Sequence, residues 1–156
     1  MAQKRRATST FASDIEDWVR ETEMGTLRVL QASFQDFIDN AQEPVGRGGK
    51  MRVDTGFLRA SGRASIGNVP SGPSKQPEDA PVGQYTGVYD DFDGPGGEAT
   101  KADVLSLELG DTIYFGWTAE YAQARELHDG FLEASAMNWS RYVAFNTGTL
   151  KQSMKR

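Results

Sequence analysis

The feature that most constrains the fold of this chain is a long helical repeat of apolar residues near its N-terminus, over residues 11–41. Steps of mostly three and four residues separate these positions, which is the period of an amphipathic helix. A serine or threonine at or before Ser13 can cap its start, and Pro44 with the glycines after it ends the pattern. The sequence therefore predicts one helix of about eight turns, with Gly25 as a weak point, packed along a sheet. The apolar positions are Phe11, Ile15, Trp18, Val19, Leu27, Leu30, Phe34, Phe37, Ile38 and Ala41.

Extended structure is predicted in two places. Residues 60–69 are rich in small side chains and read as one extended segment. Further along, apolar and polar residues alternate on both sides of Gly110-Asp111, which is typical of a hairpin with one apolar face. The apolar positions of this predicted hairpin are Leu105, Leu107, Leu109, Ile113, Phe115 and Trp117.

The C-terminal third predicts helices. Thr118 can cap a helix that Asp129-Gly130 would end, and a last amphipathic helix runs to about Asn146. The predicted fold class is therefore α+β, in which the long N-terminal helix and the C-terminal helices pack on a small, mainly antiparallel sheet.

The domain organisation is expected to be simple, because a chain of 156 residues with 38% hydrophobic residues supports one core. We expect one domain over residues 1–156, with a basic N-terminal tail at 1–9 and a basic C-terminal tail at 147–156. Five of the six prolines fall in residues 70–100, together with glycines and acidic residues. This segment predicts an extended loop that is either an assembly arm or a mobile insertion.

Composition excludes several function classes. The chain has no cysteine, which excludes disulfides, thiolate metal sites and a cysteine nucleophile. Its formal charge of −5 disfavours a surface that wraps nucleic acid. No apolar run approaches the roughly 20 residues of a membrane helix, so no membrane partner is expected, and the chain should be soluble in the cytoplasm where it is made.

The triplet Asp54-Thr55-Gly56 raises the question of catalysis, since aspartic proteases of the retroviral type carry their carboxylate in such a triplet. That chemistry needs the carboxylate on a tight loop between buried strands, paired with a second one. Here a basic, glycine-rich stretch precedes the triplet and Phe57 follows it with helical character, in a chain that is mostly helical by pattern. The single histidine, His128, lies at a predicted helix end, where the helix dipole favours it as a cap.

The acidic residues 89–94 resemble part of a calcium loop but lack its first and last ligands, which leaves at most weak cation binding. The residues therefore predict no enzyme, no catalytic group, no cofactor and no specific metal site.

Two motifs carry a family resemblance. The first is VDTGFLRAS at residues 53–61, which follows Pro44-Val45 and a glycine-rich spacer. The second is LGDTIYFG at residues 109–116, followed by Tyr121-Ala122 and then Glu126. Together and in this order they resemble the neck and tail-completion proteins of long-tailed bacteriophages and gene transfer agents.

This resemblance implies a structural protein of the virion, assembled in the host cytoplasm and located at the head-tail junction. Such proteins form a homo-oligomeric ring, commonly of six copies, which contacts a head-side connector or stopper protein and the tail tube protein. DNA passes through the ring without specific binding.

The resemblance also implies roles for individual residues. Asp54, Thr55, Gly56, Leu58 and Arg59 would form a structural turn in which Arg59 is free to pair with an acid of its own or a neighbouring subunit. The candidates for the lumen or the intersubunit contact are Asp90, Asp91, Asp93, Arg59 and Glu126.

Two alternatives remain at this point. A small regulatory or nucleic-acid-binding module could use the basic residues at both termini. An aspartic-protease-like homodimer could use Asp54.

Overall fold

The computed structural model describes residues 3–75 and 95–154, with the side chains of residues 10–75 and 100–154. The helices are α1 (Gln3–Ala41), α2 (Phe57–Ala60), α3 (Pro95–Leu105), α4 (Ala122–Asp129), α5 (Phe131–Ala136) and α6 (Trp139–Ser153), with a short 3-10 helix at Val45–Arg47. The strands are β1 (Gly62–Ile66) and β2 (Ile113–Trp117). The predicted α+β class is confirmed.

The long N-terminal helix is confirmed, and it begins eight residues before the predicted start, at Gln3 instead of Phe11. Gly25 does not interrupt it. A Cβ atom at this position would lie 3.2 Å from Leu150 Cδ2, so the glycine lets α6 approach α1 closely. Because α1 begins at Gln3 and α6 ends at Ser153, helix extends into both segments that the sequence predicted as basic tails, 1–9 and 147–156.

The sheet pairs segments that are distant in sequence. Strand β2 runs antiparallel to β1, with Gly62 opposite Trp117 and Ile66 opposite Ile113. The predicted hairpin around Gly110-Asp111 is therefore wrong, because the partner of β2 lies before residue 70 and not immediately before the turn.

The residues predicted as the first hairpin strand belong to the end of α3 and the turn after it. Val104 and Leu107, three positions apart, are each 2% exposed, whereas Leu105 is 72% exposed. Burial thus follows the spacing of a helical turn and not the alternation of a strand. Helix α3 begins at Pro95, so the end of the predicted 70–100 loop is helical, while residues 76–94 lie outside the described part of the chain.

Aromatic rings connect the sheet with α1, α5 and α6. Trp117 of β2 packs edge-on against Phe115, with ring centroids 5.0 Å apart, and against Phe131 of α5 at 4.8 Å. Phe37 of α1 lies 6.4 Å from both Phe115 and Trp139 of α6. A second cluster contains Met51, Phe57, Leu58, Ala119 and Phe131. It shares Phe131 with the aromatic contacts, so helix α2 and the turn before it pack on the same core.

The C-terminal third contains three helices. Helix α4 ends at Asp129 as predicted, because Gly130 takes the left-handed conformation with φ of 63°. The predicted last helix is divided into α5 and α6 at residues 137–138, where the side chain of Asn138 donates to the carbonyl of Ala134 at 2.9 Å. None of the helices in the described ranges is long and apolar enough to cross a membrane.

Candidate functional site

A cleft of about 530 Å³ opens where the turn before α2 faces the start of α4. The turn contributes residues 52–56 with Leu58 and Arg59, and the α4 side contributes Tyr121 and Arg125. Three of the lining side chains are arginines, namely Arg52, Arg59 and Arg125, and only Asp54 is acidic. We call this site the arginine cleft. It is basic on a chain whose formal charge is −5.

The Asp-Thr-Gly triplet forms one wall of the arginine cleft and begins helix α2. Gly56 has φ of 83°, a left-handed conformation that a residue with a Cβ atom adopts only with strain. The hydroxyl of Thr55 accepts the N–H of Phe57 at 3.4 Å, and the carbonyl of Gly56 accepts the N–H of Ala60 at 3.0 Å. Asp54 is exposed and precedes a helix, which is not the position between buried strands that an aspartic protease requires.

Arg59 is tied to the C-terminal end of α1. Its Nε atom donates to the backbone carbonyl of Gln42 at 2.9 Å, and the side-chain amide of Gln42 donates to the carbonyl of Arg59 at 3.3 Å. Both residues are buried, with 8% of Arg59 and 1% of Gln42 exposed. Arg59 is therefore not free, since burial and this contact hold its guanidinium, and its pairing with an acid of its own or a neighbouring subunit stays a prediction.

The α4 side of the cleft is fixed to the turn that contains α2 by hydrogen bonds to Ser61 and by a pair of rings. The carbonyl of Ser61 accepts the N–H of Thr118 at 3.1 Å, and its hydroxyl accepts the N–H of Ala119 at 3.3 Å. The rings of Phe57 and Tyr121 lie 6.4 Å apart. The two motif segments, 53–61 and 121–126, are distant in sequence and adjacent in space.

The pKa of Tyr121 depends on its burial and on the charges of the cleft. Burial raises the pKa of its phenol above the ordinary value of 10.0, and the negative charge of Asp54 raises it further. A hydrogen bond from the backbone N–H of Leu58 and the positive charge of Arg125 act in the opposite direction. The phenol is thus neutral near pH 7 and stays neutral to higher pH than an exposed tyrosine.

The buried carboxylate of Asp129 pairs with two of the arginines that line the cleft. The Asp129 side chain is 3% exposed, and it forms a close i,i+4 ion pair with Arg125. Its other contacts are with Arg52 Nε at 3.5 Å and with His128 Nδ1 at 3.2 Å. Since a buried carboxylate is stable only when it is paired, Asp129 holds Arg52 and Arg125 on the same side of the molecule.

Glu126 has a position inside its own chain. Its two carboxylate oxygens accept the N–H groups of Leu132 at 2.8 Å and Glu133 at 3.0 Å, at the start of α5. The first N–H groups of a helix have no partner within the helix, and a carboxylate there also favours the helix dipole. The structure therefore assigns Glu126 to joining α4 to α5.

The structure brings together part of the candidate set. The turn residues and Arg59 line the arginine cleft, whereas Glu126 does not, and Asp90, Asp91 and Asp93 lie outside the described residues. Within the described ranges, no group of three histidine, cysteine or acidic residues is placed to hold a metal ion. Sequence reasoning missed the roles of Arg52, Tyr121, Arg125 and Asp129.

One signal for the missed residues was present in the sequence. Arg125 and Asp129 stand four apart on a predicted helix, which is the spacing of a helical ion pair. Nothing local indicates that Arg52 reaches the same carboxylate, because that contact depends on how the α2 turn packs on α4.

Comparison of the chain with protein-family models, with curated proteins and with solved structures found no match. The guanidinium groups and the neutral phenol suit the binding of a carboxylate or another small anionic group.

Proposed function

We propose that this chain is a structural protein of a phage or gene-transfer-agent virion, which forms a ring in the neck and joins or terminates the tail at the head-tail interface. One observation carries the proposal beyond the motif resemblance. The VDTGFLRAS turn meets Tyr121, the first residue of the Tyr121-to-Glu126 segment, at one cleft through the Phe57–Tyr121 ring pair, and Ser61 holds Thr118 and Ala119 just before that segment. Packing of one motif on the other gives a physical reason for their occurrence in the same chain.

Exposed apolar side chains support an assembling protein. Phe11 and Trp18 are each 66% exposed, Phe145 is 70% exposed and Leu127 is 84% exposed. Phe11 and Trp18 lie on the same face of α1, and large apolar residues grouped on one face mark interaction sites because their hydration is unfavourable in a permanent monomer.

The proposed assembly is a homo-oligomeric ring, with six copies as the expected number. Its partners are a head-side connector or stopper protein and the tail tube protein, and DNA passes through the lumen without specific binding. An acidic lumen suits passage, since it repels phosphate groups and gives no counterion release to favour binding. The proposal includes no enzymatic step.

Location within the particle tests this role directly. Antibodies raised against the purified chain, coupled to gold, should label intact particles at the head-tail junction in electron micrographs. Label on capsid faces, along the tail or at the tail tip would contradict the proposal, as would absence of the chain from purified particles by mass spectrometry.

A further inference from the structure

The outer part of helix α1 carries large apolar residues that are mostly exposed, although Trp18 borders a groove that also contains Leu150 of α6 and Met154 just after it. Every residue from 10 to 24 is exposed. Phe11, Ile15 and Trp18 follow one another at steps of four and three, so they share one helix face, and they are 66%, 46% and 66% exposed. We call residues 10–24 the α1 arm. At 1.5 Å per residue the arm is about 22 Å long.

The α1 arm is strongly acidic. It has five acidic side chains and one arginine, which gives a formal charge of −4. Asp14, Asp17 and Glu21 are spaced three and four residues apart and form a stripe beside the apolar face. The arm therefore offers carboxylates and large apolar groups to the same partner surface.

The arginine cleft has the complementary chemistry. Arg52 and Arg125 have side chains that are 66% and 32% exposed, and Tyr121 is 38% exposed. The three arginines that line the cleft and the single Asp54 give it a net formal charge of +2. The net charge is +1 when the buried Asp129 is counted as well. Guanidinium groups can pair with the acidic stripe while the Tyr121 ring contacts an apolar side chain.

The arm cannot reach the cleft of its own chain. Gln42, just after α1, contacts Arg59 at the cleft, whereas Asp17 lies 25 residues earlier in the sequence. Along a continuous helix that separation is about 37 Å. Helix α1 is unbroken from Gln3 to Ala41, so the contact has to be made between two molecules.

We propose that the α1 arm of one copy docks in the arginine cleft of a second copy, in a head-to-tail contact. This inference rests on the proposed ring and names its intersubunit contact. Two different patches meet in such a heterologous contact, and repetition of it closes a ring when the rotation per subunit allows. DNA phosphate is the competing anion. The formal charge of −5 and the exposed Asp54 disfavour a polyanion at this cleft, whereas every copy of the chain supplies an acidic arm.

Cross-linking between introduced cysteines tests the contact. Because the chain has no cysteine of its own, the linker can react only with the introduced thiols. One full-length variant carries Ser13→Cys in the arm, and a second carries Val53→Cys in the cleft. A short bis-maleimide linker should join the two variants to each other when they are mixed, and each variant alone should give little dimer. Asp54→Cys provides a second, exposed cleft probe if the half-buried Val53 position lowers stability.

Charge controls make the test specific. Adding Arg52→Ala to the cleft variant should lower the yield of mixed dimer about tenfold, which corresponds to ~1.4 kcal/mol for a charge pair. Arg141→Ala removes an exposed arginine outside the cleft and should leave the yield unchanged. Raising the salt concentration should lower the mixed yield through screening. Cross-links mainly between identical variants, no mixed dimer at the highest soluble concentration, or equal effects of the two alanine variants would overturn the inference.

DNA binding is measured on the same proteins. If Arg52→Ala abolishes binding of a short DNA duplex and leaves the mixed cross-link intact, the cleft binds phosphate and the head-to-tail contact is wrong. If cross-links form while gold label is absent from the neck, the contact stands and the neck role fails. If the neck is labelled and no mixed cross-link forms, the contact alone fails.

Discussion

At the scale of single residues, two glycines determine how the arginine cleft is built. Gly56 supplies the left-handed turn before α2, whereas the family resemblance implied only a structural turn at the Asp-Thr-Gly triplet. Gly49 has a different role. A Cβ atom there would lie 1.9 Å from the backbone oxygen of Glu43, so the glycine allows the chain to close on itself just before Met51 and Arg52. That requirement is set by a long-range backbone approach, which no local pattern reveals.

We expect Gly49→Ala to destabilise the fold by about 1–3 kcal/mol, because an added methyl group has to displace backbone and not a flexible side chain. Gly46→Ala is the matched control, since nothing lies within 4 Å of its Cβ position. The free energy of unfolding from urea titration gives both values. Equal unfolding midpoints for the two variants would show that the close approach at Gly49 does not constrain the turn.

Charged residues of the cleft show how far residue-level prediction reached. Arg59 was singled out from the motif, but its burial beside Gln42 was not foreseeable, because it depends on where α1 ends relative to α2. Arg52 was passed over for the same reason, since its partner Asp129 belongs to another element.

At the scale of elements, the long helix was predictable and the sheet pairing was not. Helix α1 carries its own periodic signal, so local sequence is sufficient. The alternation at Leu105, Leu107 and Leu109 looked equally clear, yet Val104 and Leu107 are the buried pair and β2 pairs with β1. Strand preference depends on the neighbouring strand and on burial, and a distant partner leaves no mark on the local pattern.

The junction of α4 and α5 gives a testable element-scale claim. We expect Glu126→Gln to destabilise the fold by about 1 kcal/mol, because the amide keeps one oxygen acceptor and loses the charge that favours the start of α5. Glu133→Gln is the control, since it neutralises an exposed carboxylate in the first turn of the same helix. Urea unfolding of both variants measures the difference, and a loss at Glu126 no larger than that at Glu133 would refute the capping role.

At the scale of the whole molecule, a buried core and an exposed acidic arm occupy different parts of one chain. The sequence predicted the α+β class and one core, but it described residues 1–9 as a tail, whereas helix begins at Gln3. The exposed apolar face of the arm could not be separated from a core face by periodicity alone, because both have the same helical spacing. Exposure of Phe11 and Trp18 in the folded chain is what favours an assembly role.

The most direct test of that role is electron microscopy of particles made when the gene carries a stop codon at Trp18, with the intact gene supplied in trans as the control. The neck proposal predicts filled heads beside separate tails of normal length if the chain joins the two, or overlong tails if it terminates them. The intact gene should restore complete particles in either case. Complete, infectious particles without the intact chain would contradict the proposal.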